Sequence, residues 1–111
     1  MTTDAVIVLT TLPDHGAALS LARRAVEARL AACVQIVPGL TSVYRWKGAV
    51  DEASEVQLLM KTSAQREEAL MAWVAAHHPY EVPEILVLDG RASEAYGAWL
   101  RAESESDGHR G

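Results

Sequence analysis

Two stretches of alternating polar and apolar residues, Cys33–Trp46 and Val50–Thr62, flank the turn sequence Lys47-Gly48-Ala49. In the second stretch Val56, Leu58 and Met60 alternate with Glu55, Gln57 and Lys61, a period of two that fits a strand and not a helix. The two arms predict one long antiparallel hairpin. Pro38-Gly39 interrupts the first arm, and proline donates nothing to a strand ladder, so a bulge or kink on an edge strand is expected there. An isolated hairpin is marginal in water, so the rest of the chain must supply strands and helices to cover it.

The flanking segments have the right patterns. Ala5–Leu9 is continuously apolar, as in a strand buried on both faces. Pro13-Asp14 ends it and offers a helix N-cap, after which Ala18, Leu21, Ala22, Ala25 and Val26 recur at helical spacing. A second helix is expected after Thr62-Ser63, with Leu70, Met71, Val74 and His77 on one stripe. Pro79 and Pro83 force an extended link into a strand at Ile85–Leu88, and a short third helix runs from Ser93 to about Leu100, carrying Tyr96 and Trp99. Strand and helix order predicts an α+β, ferredoxin-like βαββαβ sandwich with helices on one face, plus a C-terminal helix. Leu59 points away from Val56, Leu58 and Met60, so the other sheet face also needs cover, and another subunit is the expected source. Residues 1–101 form one domain on this reading. Residues 102–111 read as a flexible acidic tail, with Glu103, Glu105 and Asp107 against Arg110.

Composition narrows the function. Half of the 111 residues are apolar, enough for one domain with a real core. A net charge of −5 with only two lysines, Lys47 and Lys61, argues against nucleic acid, and the absence of Phe removes the usual stacking platform. A single cysteine, Cys33, forms no intramolecular disulfide, and no apolar run is long enough for a bilayer. The expectation is a cytoplasmic protein that is not embedded in a membrane.

Two groups of residues carry chemistry. His77-His78-Pro79-Tyr80-Glu81-Val82-Pro83-Glu84 gathers imidazoles and carboxylates between two prolines. Imidazole suits copper, nickel or zinc, but adjacent side chains diverge on a helix or a strand. Pro79 also pushes His78 out of the helical region, so the rings are expected to serve different neighbourhoods. They are either metal ligands or, respectively, a helix end interacting with its dipole and a packed ring. The second group is Tyr44, Trp46, Glu55 and Lys61. Each pair shares a face of its own arm, which fits the wall of a small-molecule cleft or a cross-strand ion pair at a subunit contact. Cys33 opens an apolar strand, where a buried thiol is the common state, and no nucleophile elbow, P-loop or dinucleotide fingerprint occurs. The chain does not read as an enzyme.

Several separate motifs resemble one family. Glu27-Ala28-Arg29-Leu30-Ala31-Ala32-Cys33-Val34-Gln35-Ile36-Val37-Pro38-Gly39, Thr41–Gly48, Lys61-Thr62, His77-His78-Pro79-Tyr80, Val82-Pro83-Glu84 and Tyr96–Leu100 are similar, in order, to the CutA family of divalent-cation tolerance proteins. The resemblance spans roughly residues 5–101. It implies a ferredoxin-like subunit in a homotrimer, with hairpin arms reaching onto neighbours and an architecture like that of the PII signalling proteins. It also implies copper or other divalent-cation binding and tolerance, with His77 and His78 as ligands. A third ligand position, cysteine in some members, falls on Thr10, a weak copper ligand, which leaves a site of imidazoles alone or one completed by another subunit. The resemblance further places Tyr44, Trp46, Glu55, Lys61, Tyr80 and Glu84 around an inter-subunit cleft for a small ligand. A PII-like signalling or adaptor trimer, binding a metabolite or a partner protein there, is the alternative function.

Overall fold

The computed structural model describes residues 1–105. Its elements run β1 (Thr2–Leu12), α1 (His15–Glu27), β2 (Cys33–Trp46), β3 (Ala49–Thr62), a 3-10 turn (Ala64–Arg66), α2 (Glu67–His77), β4 (Leu86–Ser93) and α3 (Glu94–Ser104). The four strands form one sheet in the order β2-β3-β1-β4, and every adjacent pair is antiparallel. This is the split βαβ arrangement expected from element order.

Local chemistry sets the boundaries. The Asp14 carboxylate accepts the Ala17 amide at 2.8 Å and caps α1. Lys47 (φ 49°) and Gly48 (φ 85°) close the hairpin between the paired residues Trp46 and Ala49. Two left-handed residues in a two-residue loop match the twist of the arms. Register slips between Val37 and Leu40, so Pro38 and Gly39 form the expected bulge, on β2 at the sheet edge. β1 and β4 extend past the runs that marked them, because their polar residues still complete the ladder.

The core lies between one sheet face and helices α1 and α2. Val6, Val8, Leu12, Val56, Leu58 and Met60 meet Ala18, Leu21, Ala22, Ala25, Leu70 and Val74 there. Val26, placed by periodicity on the apolar stripe, is instead 39% exposed.

The opposite face corrects one expectation. The chain supplies part of a second layer itself, because α3 packs across that face and not beside α1 and α2. Arg101 donates to Thr3 Oγ1 at 2.8 Å, the Lys61 ammonium sits 5.9 Å from the Tyr96 ring centre, and Leu100 is buried outside the main core. Gly97 permits the approach: a Cβ there would lie 1.9 Å from Thr3 Cγ2. Beyond α3 the face stays apolar and open, with Val37 (39%), Leu86 (52%) and Leu88 (45%) exposed. α3 also runs to Ser104, past the domain boundary expected at 101, with its Ser104 hydroxyl on the Leu100 carbonyl. Of the expected tail, residues 106–111 lie outside the described residues. Among the described residues no helix is long and apolar enough to cross a membrane.

Candidate functional site

β-strand parity carries the site residues to the open face. Glu55 and Lys61 both face away from the core strip of Val56, Leu58 and Met60. The bulge then matters. By slipping β2 by one residue it turns Leu40, Ser42, Tyr44 and Trp46 to the side of their partners Glu55, Ala53, Asp51 and Ala49. Tyr44 and Trp46 thereby join Glu55.

The link between α2 and β4 closes the other wall. Tyr80 donates its hydroxyl to Glu55 Oε2 at 2.8 Å. The result is an open cavity of about 510 Å³ walled by Pro13, Tyr44, Trp46, Pro79, Tyr80 and Val82, with Glu55 in its lining. An adjoining hollow of about 410 Å³ shares the aromatic residues and adds Thr11, Ser42 and Glu84. Burial pushes the Glu55 carboxyl up, but hydrogen bonds from Ser42, Tyr80 and Thr11 and the nearby His78 outweigh it and hold it below the usual carboxylate range. Burial and the Glu55 carboxylate push the Tyr80 hydroxyl far above its usual value, so it stays a donor.

Five of the six residues expected around the cleft, Tyr44, Trp46, Glu55, Tyr80 and Glu84, therefore meet within one chain. Lys61 does not. It shares the face of Glu55, but at about 3.3 Å per residue the two lie roughly 20 Å apart along β3, and Lys61 borders a separate hollow beside Tyr96 and Leu100 under α3. Sequence reasoning missed Thr11 and Ser42. Ser42 was within reach, since it alternates with Tyr44 and Trp46, whereas Thr11 needs the β1–β3 register.

The histidines part as their spacing predicts. His77 ends α2 and stacks on Trp73 at 4.5 Å between ring centres. Its Nδ1 lies 2.8 Å from the Trp73 carbonyl. A carbonyl only accepts, so Nδ1 carries a proton, and in the neutral ring the lone pair is on Nε2. His78 turns the other way. Its Nδ1 accepts the Tyr80 amide at 3.1 Å, and its Nε2 therefore carries the proton donated to the Thr11 carbonyl at 2.8 Å. Burial lowers the His78 pKa, and the Thr11 carbonyl and Glu55 only partly oppose this. Thr10 is fully buried in the core, and its hydroxyl has neither histidine as a hydrogen-bond partner. Cys33 is half-buried and pairs with Lys61 on the open face, in place of the buried thiol expected. Among the described residues no three His, Cys, Asp or Glu side chains converge on one point. This donor set does not fit a chelated divalent ion: His77 offers one nitrogen and His78 none.

Comparison with known proteins agrees with the fold and the motifs. A family model described as "CutA1 divalent ion tolerance protein" matches residues 6–103. The chain is 43% identical over 100 residues to a divalent-cation tolerance protein CutA of Yersinia pestis, covering 89% of this chain and 84% of that one. The crystal structure of CutA from Xylella fastidiosa superposes with a TM-score of 0.89 at 36% identity, covering 93% of this chain and all of that one. A CutA structure from Synechococcus elongatus, complexed with a Bis-Tris molecule, gives 0.84 at 41% identity over 93% of this chain and 99% of that one. With its sheet order, its bulged hairpin and nearly its whole length matched, the chain belongs to the CutA1 divalent ion tolerance family.

Proposed function

We propose that this chain acts in the cytoplasm as a homotrimeric binding protein of the response to divalent metal ions, and that its working surface is the Glu55 cleft, where a small ligand binds. One observation carries this reading: Tyr44, Trp46 and Tyr80 wall a cavity of about 510 Å³ around a hydrogen-bonded carboxylate. Its volume and mixed lining are those of small-molecule sites. The Bis-Tris complex of the Synechococcus elongatus relative supports a capacity for small polar molecules in this fold. The apolar strip at Val37, Leu86 and Leu88 supports the trimer, because monomers seldom expose such faces. A PII-like role in signalling, in which a ligand changes what the hairpins contact, follows from the same cleft. No catalytic step is part of this function.

A second reading has its own observation. The free Nε2 of His77 supports direct contact with copper or another divalent cation. His78 joins as a ligand only by giving up its bond to the Tyr80 amide or the Thr11 carbonyl.

Melting curves separate the two, since a ligand of the folded state raises the melting temperature. Bis-Tris should raise it in wild type and His77→Ala but not in Trp46→Ala. Copper should raise it slightly, and not in His77→Ala. No Bis-Tris shift in wild type would refute the cleft reading, and a large copper shift lost in both His77→Ala and His78→Ala would make the histidine pair the principal site.

A further inference from the structure

The geometry points to a small organic cation, an alkylammonium on a short aliphatic or hydroxylated body, as the ligand class of the Glu55 cleft. This rests on the cleft being a ligand site and goes on to name what enters it. The charged side chains around the two joined hollows are Glu55, Glu81 and Glu84, and no lysine or arginine lines either. The lysine on this sheet face, Lys61, which would suit an anion, borders the separate hollow under α3. An anion in the cleft would meet these carboxylates with no cation of this chain in the lining to offset them; Lys47, whose ammonium sits 5.7 Å from the Trp46 ring centre, stands outside the lining.

The walls then choose among cations. A bare divalent ion of the hard class needs six or more oxygens. Here Glu55 is already engaged by Tyr80, and most of the remaining lining is ring and aliphatic surface. Trp46 and Tyr44 are 40% and 41% exposed, so ring surface remains accessible beside Glu55, and the Lys47 ammonium 5.7 Å from the Trp46 ring centre shows that this ring already draws a cation. Aromatic faces attract a cation whose charge is spread over alkyl groups, and they do so best when a nearby anion completes the pairing. The hydroxyls of Ser42 and Thr11 beside Glu55 add partners for a hydroxylated body.

The test is calorimetric titration of the full-length protein in amine-free phosphate buffer. Three small probes are compared: choline, its neutral carbon isostere (tert-butylethanol) and the smaller anion propionate. Choline should bind saturably, with the isostere about tenfold weaker or more and propionate silent. Glu55→Gln, which keeps the shape and removes the charge, should weaken choline about tenfold and leave the isostere unchanged. Trp46→Ala, at a half-exposed hairpin position that the core does not need, should weaken choline by a similar factor. Equal binding of choline and isostere, stronger binding of propionate, or indifference to both variants would overturn the cation class while leaving the cleft a ligand site. Silence of all three probes, together with no melting shift from Bis-Tris, would remove the cleft reading itself.

Discussion

At the scale of single residues, His78 ties the site together. It accepts from the Tyr80 amide and donates to the Thr11 carbonyl, so it fixes the link that brings Tyr80 to Glu55. That arrangement requires neutral imidazole, since a protonated Nδ1 cannot accept. Burial lowers the His78 pKa below its ordinary 6.5, so the unfolded chain takes up that proton first as pH falls. The contribution of His78 is therefore complete above 6.5 and is lost on acidification below it. Glu55 acts in the same direction lower down: its pKa is held under the ordinary 4.5, and its contribution fades as pH falls through its folded value. The melting temperature should drop between pH 7.5 and 5.5, and drop less in His78→Gln, whose amide cannot titrate. Identical pH profiles for the two proteins would contradict this role. None of it was legible in His77-His78-Pro79. The spacing told that the rings diverge, but a tautomer depends on partners that only the fold supplies.

At the scale of elements, α3 is where the chain departs most from its sequence pattern. The alternation in β3 and the Lys47-Gly48 turn were enough to read the hairpin, and Pro38 marked its bulge. Nothing in Ser93–Leu100 says which sheet face the helix will cover, because its apolar residues fit either. The fold decides through a close contact: Gly97 rests on Thr3, and Thr3 in turn holds Arg101. This placement gives Lys61 a hollow of its own beside Tyr96 and Leu100, while six residues of strand keep it from Glu55, with which parity alone groups it. Gly97→Ala would set a methyl 1.9 Å from Thr3 Cγ2, so Thr3 must rotate or α3 must lift. We expect a loss of about 1–3 kcal/mol, the usual cost of overpacking, measurable by denaturant unfolding. Thr3→Ser, which removes the clashing methyl, should recover part of that loss. A neutral Gly97→Ala would show that α3 is not held by this contact.

At the scale of the whole molecule, the open face has two territories, one covered by α3 and one left apolar around Leu86 and Leu88. The proposed trimer would bury the second against other copies, which would account for exposed leucines on a strand that ends the sheet. Sedimentation equilibrium at micromolar concentration should give a mass near three times 12.0 kDa, and a stable 12.0 kDa species would contradict the assembly. The three tryptophans report on three different places. Trp46 lines the Glu55 cleft, Trp73 stacks on His77, and Trp99 stacks on Tyr96 beside Lys61. A nuclear magnetic resonance titration of the indole N–H signals with Bis-Tris therefore asks directly where a small molecule binds. The expected result is a saturable shift of Trp46 with Trp73 and Trp99 unmoved. A still Trp46, with the shift on Trp99 or Trp73, would place binding elsewhere and contradict the Glu55 cleft as the working surface.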